Sequence, residues 1–138
     1  MTDIRPELSR ENPYWIDKHR YYELKHFCLQ YPLWKRIRSS IDSNFQHPYD
    51  GLIFQKTNLI ADPVLRSVEI REIFESRILM IEDAAKETDM VFAKYITRAV
   101  TEELRYENLR AVYSIPCCRE KWYKIYRKFF YILHNARR

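Results

Sequence analysis

The sequence predicts an all-α protein, a compact bundle of about five to six helices that ends in a helix-turn-helix. The chain has one glycine in 138 residues, and tight β-hairpin turns depend on glycine. Hydrophobic residues make up 46% of the chain and aromatic residues 15%, which is enough apolar surface to fold. Apolar residues also recur at helical spacing through most of the chain. A chain of this length suits one compact unit.

The first part of the chain, residues 1–60, is predicted to be a helical region that contacts a partner or a second copy. Residues 1–12 are polar and show no period, so we expect a frayed arm. A helix is predicted from Asp17 to about Tyr31, and Pro32 is expected to begin a second one. Their apolar stripes are Tyr21, Leu24, Cys28 and Tyr31 in the first helix, and Leu33, Trp34, Ile37 and Ile41 in the second.

Aromatic residues are frequent in this region and are common at protein interfaces. The predicted partner contacts are Tyr14, Trp15, Tyr21, Tyr22 and Trp34. Residues 43–62 follow as the least regular segment of the chain. Two alternatives are open for them: residues 52–54 pack down onto the core, or the segment is itself functional.

The second part, residues 61–138, is predicted to hold a long helix and then the helix-turn-helix. Asp62 and Pro63 are typical of a helix start, and the helix is expected to reach Lys86. Its predicted apolar stripe is Ile70, Ile73, Phe74, Ile78, Ile81 and Ala85. Its charged residues, expected to form ion pairs within the helix on a solvated face, are Glu69, Glu72 and Glu75 with Arg66, Arg71 and Arg77.

Three further helices are expected after this one. Thr88 and Asp89 supply a capping signal before an amphipathic run with Phe92, Tyr95, Ile96, Ala99 and Val100 on one face. A short helix over Tyr106–Ser114 would pack through Leu109, Val112 and Tyr113. Residues 115–117 interrupt it, because Pro116 disfavours the α conformation in the residue before it. The last helix runs from about 118 to 134, and this three-residue connection predicts the helix-turn-helix.

Positive charge is concentrated at the end of the chain. Residues 116–138 hold seven Lys and Arg against one Glu, a net charge of 7 − 1 = +6, whereas the whole chain carries +5. Such a concentration is typical of an element that binds phosphates.

The final helix separates into an apolar face and a basic face on a helical wheel. The apolar face holds Trp122, Ile125, Tyr126, Phe129 and Leu133. The candidate DNA-binding residues are Arg119, Lys121, Lys124, Arg127, Lys128 and Tyr131. The first three would reach base edges and the others phosphates. The sequence thus predicts binding to double-stranded DNA with this helix in the major groove. A solvated lysine-rich surface and stacking on single-stranded bases are the alternatives.

Several segments of the chain match the pattern of one known family. They include the run from Thr101 to Leu109, the Ile-Pro-Cys at 115–117, the runs at 119–123 and 127–133, the Ala-Asp-Pro at 61–63, and the Tyr-Pro-Leu-Trp-Lys at 31–35. Through these segments the chain resembles phage and prophage transcriptional regulators of the RinA/ArpU-like type. The resemblance implies a sequence-specific regulator of phage genes that acts with RNA polymerase, with a homodimer as a further expectation.

Departures from that family pattern at Glu103, Arg105 and Cys118 leave a second function open. The alternative is a small phage-encoded inhibitor that uses the same basic face against a host enzyme or a nucleic-acid complex.

Other classes of function are not expected. No nucleophile motif, phosphate loop or pair of catalytic carboxylates is visible, so we predict no enzymatic activity and no small-molecule substrate. His19 and His26 lack a second ligand pair, and the adjacent Cys117 and Cys118 lack a partner pair, so no metal or cofactor is predicted. The odd number of cysteines and the absence of a leader or an apolar span predict the cytoplasm of a bacterial host and no membrane contact.

Overall fold

The computed structural model describes residues 11–43 and 63–138. These residues form six α-helices and no strand, which confirms the all-α prediction. The helices are α1 (Lys18–Leu29), α2 (Tyr31–Ser43), α3 (Pro63–Thr88), α4 (Ala93–Glu102), α5 (Tyr106–Tyr113) and α6 (Arg119–Ala136). The predictions for the start of the arm, for the irregular segment up to Asp62 and for a boundary at residue 60 lie outside the described residues.

The described residues divide into two units. The larger unit holds residues 11–30 and 80–138, and the smaller unit holds residues 31–43 and 63–79. The core of the larger unit forms where α1 packs against α4 and α6. Its predicted functional helix, α6, is therefore anchored on α1, which in turn packs against α4.

Helix α1 is preceded by Asp17, whose carboxylate accepts a hydrogen bond from the backbone N–H of His19 at 2.9 Å. This is a typical N-cap. The predicted apolar stripe is confirmed, because Tyr21, Leu24 and Cys28 are fully buried. Tyr21 is thus a core residue and not the exposed partner contact that the sequence predicted.

The junction between α3 and α4 follows the predicted capping signal. The Thr88 hydroxyl donates to the carbonyl of Ala84 at 2.7 Å, at the end of α3. The Asp89 carboxylate then accepts from the backbone N–H groups of Val91 at 2.9 Å and Phe92 at 3.3 Å. The inner face of α4 begins with Phe92 and is buried as predicted, with Tyr95 half-buried at its edge.

In the smaller unit, two ion pairs join α2 to the first part of α3. Arg38 pairs with Glu75 at 2.6 Å, and Arg71 pairs with Asp42 at 2.6 Å. Arg71 and Glu75 thus each form an ion pair with a residue of α2. Asp42 raises the pKa of the Arg71 guanidinium by hydrogen bonding and charge, and the charges of Glu75 and Glu72 on its own helix raise it further.

Apolar residues of this unit do not all point inward. Trp34 is 2% exposed and has the Arg77 guanidinium 5.7 Å from its ring centre, so it is not available as the predicted partner contact. Leu33 and Ile73, in contrast, are 45% and 49% exposed. Both were assigned to buried stripes. Measured around the helix axis, each residue lies roughly 100–120° from the middle of the buried face of its helix. Each therefore lies at the edge of the predicted apolar stripe.

Candidate nucleic-acid interface

The connection between α5 and α6 contains five residues, 114–118, and not the predicted three. Ser114 leaves the helix in the left-handed conformation, with φ 50° and ψ 49°, and Cys118 is the N-cap of α6. The backbone N–H of Ile115 donates to the carbonyl of Leu109 at 3.3 Å, and the Ile115 side chain is buried. Helix α5 therefore ends one residue earlier than predicted, and α6 begins one residue later.

The turn brings the first residues of α5 and α6 next to each other. The Tyr106 hydroxyl donates to the carbonyl of Cys117 at 2.7 Å. The Arg119 guanidinium pairs with Glu107 at 2.5 Å and lies 5.7 Å from the Tyr106 ring centre. The two helix starts, where backbone N–H groups are unpaired and the helix dipole is positive, thus lie side by side. That these elements form a DNA-binding helix-turn-helix stays a prediction.

One face of α6 is fixed in the core of the larger unit. Its buried residues are Trp122, Ile125, Phe129, Phe130 and Leu133. Tyr126 is half-buried, and its hydroxyl lies 2.9 Å from that of Tyr21. The predicted apolar face is confirmed, and Phe130, which was not predicted, also belongs to it. Its spacing of four residues from Tyr126 and eight from Trp122 is the signal that could have placed it there.

Five of the six candidate residues share the opposite face of α6, which we call the basic face: Lys121, Lys124, Arg127, Lys128 and Tyr131. Together they span roughly 120° of the helix surface. Lys121 and Lys124 are exposed, and the other three are half-buried. No acidic residue follows Glu120 in the sequence, so the last four turns of the helix carry positive charge alone.

The cations of the basic face have few internal partners. Lys121 places its ammonium 5.2 Å from the centre of the Phe92 ring. In the part of the chain that the structure describes, no carboxylate lies within ion-pair distance of Lys124, Arg127 or Lys128. These three cations are therefore available to an anionic partner.

The other two candidates make contacts within the chain. Arg119 is the sixth candidate and lies outside the basic face. Its guanidinium forms an ion pair with Glu107. Tyr131 packs against Tyr14 with ring centres 5.5 Å apart. Arg119 thus connects the starts of α5 and α6, and Tyr131 connects the basic face to the segment before α1.

The contact between Lys121 and Phe92 brings the start of α4 to the edge of the basic face. The neighbouring turn exposes Met90 and Val91, at 73% and 72%, and Lys94 is exposed one residue into α4. Phe92 and Lys121 are distant in the chain and only the fold brings them together, so this border could not be predicted from the sequence.

The described histidines, cysteines and carboxylates were examined as a metal site and the cysteines as reactive thiols, the two further kinds of site that the sequence raises. Within residues 11–43 and 63–138, no group of three or more His, Cys, Asp or Glu side chains could hold a metal ion. Cys28 is buried, and burial raises the pKa of its thiol well above the ordinary value. Burial also raises the pKa of Cys117, with a smaller contribution from Cys118. None of the described helices is both long enough and apolar enough to cross a membrane.

Comparison with known proteins identifies no relative: no family model, no curated protein and no solved structure matches this chain. The resemblance to phage regulators therefore stays a prediction from the sequence.

Proposed function

We propose that the protein is a sequence-specific regulator of phage or prophage transcription that binds double-stranded DNA through the basic face of α6. The observation that carries the proposal is the set of three cations, Lys124, Arg127 and Lys128, on one helix face. No carboxylate of the described residues pairs with them. Lys and Arg side chains without an internal carboxylate partner can neutralise the phosphates of a DNA backbone.

The shape of α6 fits this partner. Its 18 residues make a helix roughly 27 Å long, and the major groove of B-DNA, about 12 Å wide, admits one α-helix. The buried opposite face fixes the helix, so that the basic face projects from a rigid support. Lys121 and Lys124 would lie nearest the bases, and Arg127, Lys128 and Tyr131 nearest the phosphates.

The surroundings of α6 add positive potential. Lys94 is exposed near the start of α4, and the helix start of α5 lies beside that of α6. Backbone N–H groups at helix starts bind phosphate oxygens. Glu107 would oppose DNA, but Arg119 neutralises it. Arg119 thus supports the interface, and Lys121 and Lys124 would make the base contacts.

A single basic face of this size covers one half-site. We therefore extend the proposal to a second copy of the chain on the neighbouring half-site, with RNA polymerase as a further partner in a bacterial cytoplasm. Exposed aromatic candidates for such contacts are fewer than the sequence predicted, since Tyr21 and Trp34 are core residues. Tyr14, Trp15 and Tyr22 are half-buried.

The test is a titration of the chain against DNA fragments from its own locus and against random duplex, between about 50 and 200 mM salt. We expect one fragment to be preferred at the higher salt. The variant Lys124→Gln, near the bases, should reduce the preference for that fragment, and Lys128→Gln, near a phosphate, should weaken binding to all fragments and lower the salt slope by about one. Arg36→Gln, which removes one positive charge from an exposed position on α2, is the matched control and should change neither.

Equal loss of binding for every sequence at 200 mM salt would contradict the proposal, as would an equal effect of Arg36→Gln. Either result would favour the inhibitor hypothesis, in which the same cations bind an acidic surface of another protein. Capture of a defined host enzyme that depends on Lys124 and Lys128 would then be the corresponding observation.

A further inference from the structure

The turn between α3 and α4, residues 89–92, carries two apolar side chains that project into solvent. Met90 is 73% exposed and Val91 is 72% exposed, the highest values among the large apolar residues that the structure describes. Single exposed apolar residues are common on protein surfaces, whereas adjacent ones are a feature of contact surfaces. This turn is therefore a candidate site for a partner.

Hydrogen bonds hold the turn in one shape. The Asp89 carboxylate accepts from the backbone N–H groups of Val91 and Phe92, and the Thr88 hydroxyl donates to the carbonyl of Ala84. The Phe92 side chain is 5% exposed and fixes the other end of the turn in the core of the larger unit. Because the backbone is already ordered, a partner would bury the two apolar side chains at little further cost in conformational entropy.

The turn lies at one edge of the basic face. The Lys121 ammonium is 5.2 Å from the centre of the Phe92 ring. Val91 directly precedes Phe92, and consecutive Cα atoms are about 3.8 Å apart. Lys121 belongs to the first turn of α6, and the N-terminal part of a recognition helix is the part that reaches base edges. With the basic face in the major groove, the turn would therefore lie beside the same base pairs.

The charged residues next to the turn in the sequence balance one another. They are Lys86, Glu87, Asp89 and Lys94. Two lysines and two acidic residues leave no net charge, and one of the acids, Asp89, accepts the two backbone hydrogen bonds of the turn. The excess of positive charge beside the turn comes from Lys121 and the rest of the basic face. A neutral, apolar projection beside a cationic face suits an apolar group of an anionic partner better than a phosphate.

We propose that Met90 and Val91 recognise thymine in the major groove of the DNA that α6 binds. Thymine is the only one of the four bases that carries a methyl group in this groove, and apolar side chains recognise it by direct contact. This methyl group is an apolar group within an anionic partner. The contact rests on the proposed function, because the basic face must first hold the DNA. It adds A·T base pairs at the edge of the binding site to the sequence that the protein recognises.

The experiment replaces thymine by uracil, which lacks only the methyl group. The probe is the fragment that the full chain prefers from its own locus, prepared once with thymine and once with uracil at every thymine position. Fluorescence anisotropy measures both affinities at one fixed salt concentration, since binding to DNA depends on salt. We expect the uracil fragment to bind about fourfold more weakly for each methyl group that the turn contacts, because that methyl group is no longer buried.

Variants of the turn assign the effect to its two apolar residues. Met90→Ala and Val91→Ala should each reduce the difference in affinity between the two fragments, and the double variant should bind both nearly equally. Both positions are exposed, and alanine keeps the backbone N–H of residue 91 that Asp89 accepts from, so the fold should be retained. Val112→Ala is the matched control, because Val112 is 67% exposed on α5, and it should leave the difference unchanged.

The outcomes separate the thymine contact from DNA binding itself. Lys128→Gln should weaken binding to both fragments by the same factor, because it removes a phosphate contact. Equal affinity of the unchanged chain for the two fragments would overturn the thymine contact, as would a difference that persists in the double variant. Either result would leave the basic face as the DNA site and favour a protein as the partner of the turn. The lack of a preferred fragment, or binding that does not depend on Lys128, would overturn both proposals.

Discussion

Arg20 shows how one side chain can join two distant parts of the chain. Its guanidinium donates to Nδ1 of His134 at 2.9 Å, to the carbonyl of Arg137 at 3.0 Å and to Glu23 at 2.5 Å. The end of α6 has unpaired carbonyl groups, and Arg20 donates from α1 to two carbonyls there, those of His134 and Arg137. The position of the basic helix therefore depends partly on a residue far from the basic face.

The same contact makes His134 sensitive to pH. Burial, together with the charges of Arg20 and Arg138, lowers the pKa of His134 below its ordinary value of 6.5. Nδ1 accepts from Arg20, so the folded state favours the neutral imidazole. The unfolded chain then binds a proton more readily, and the folded state loses stability as the pH falls below about 6.5.

We predict that the free energy of unfolding, measured in urea, decreases between pH 7.5 and pH 5.5 and that His134→Gln reduces this decrease. The exposed His26→Gln is the control and should leave the decrease in place. The lowered pKa of Glu23 acts in a more acidic range, below 4.5, so it does not interfere. An unchanged decrease in the His134 variant would contradict the assigned cause.

Residue type alone misplaced several side chains. The sequence predicts Tyr21 and Trp34 both in apolar stripes and at a partner surface, and burial in a core confirms the stripes. An aromatic ring is equally suited to a core and to an interface, and the choice is made by which helix packs over it. Contacts such as that of Arg119 with Glu107 depend on the course of a turn, which local sequence does not specify.

At the scale of the elements, periodicity was the most informative signal. The long helix α3 and the two faces of α6 follow directly from the spacing of apolar residues, and Asp89 marks the start of α4 through its hydrogen bonds. The short helix α5 was harder to predict in detail. With only eight residues, it offers about two turns over which a period can be judged.

Leu109 and Val112 on α5 illustrate this limit. Both were expected to pack, but Leu109 is fully buried and Val112 is 67% exposed. They lie three residues apart, and only one faces the core. The turn that follows α5 also uses Leu109, whose carbonyl accepts from Ile115.

We predict that Leu109→Ala lowers the free energy of unfolding by about 2–4 kcal/mol, because it leaves a cavity in a packed core. Val112→Ala should change it by less than about 0.5 kcal/mol. Chemical denaturation of the two variants side by side provides the measurement. Similar losses in both would mean that α5 is packed on both faces and would contradict its described orientation.

At the scale of the whole molecule, the three cysteines occupy three different environments. Cys28 is fully buried in α1, Cys117 is half-buried in the turn, and Cys118 is exposed at the start of α6. A thiol reacts as the thiolate and needs access to the reagent. Burial both shields Cys28 and raises the pKa of its thiol.

We predict that a disulfide reagent at pH 8 modifies Cys118 first and Cys117 more slowly. Cys28 should react only when the larger unit unfolds. In the variant with Cys117→Ser and Cys118→Ser, the reaction of Cys28 should accelerate with urea in parallel with loss of helical circular dichroism. Rapid modification in the absence of urea would show that the core around α1 opens without global unfolding.

The helical fold class and the existence of a buried and a basic face on α6 were predictable, since both follow from short-range spacing. The cavity of about 260 Å³ between α1, the end of α4 and α6 and the border formed by Phe92 and Lys121 were not. Each combines residues from helices that are distant in sequence, and their approach depends on packing of the complete unit.

Two helix ends, at Glu103 and Ser114, adopt left-handed backbone conformations without glycine. Each position costs the folded chain about 1 kcal/mol relative to a residue that lacks a Cβ. The fold could therefore be more stable than this sequence makes it, and the difference is located at the two turns that flank α5. Such a reserve is a natural starting point for engineering, since a more stable variant could tolerate the destabilising substitutions needed to give α6 a new partner.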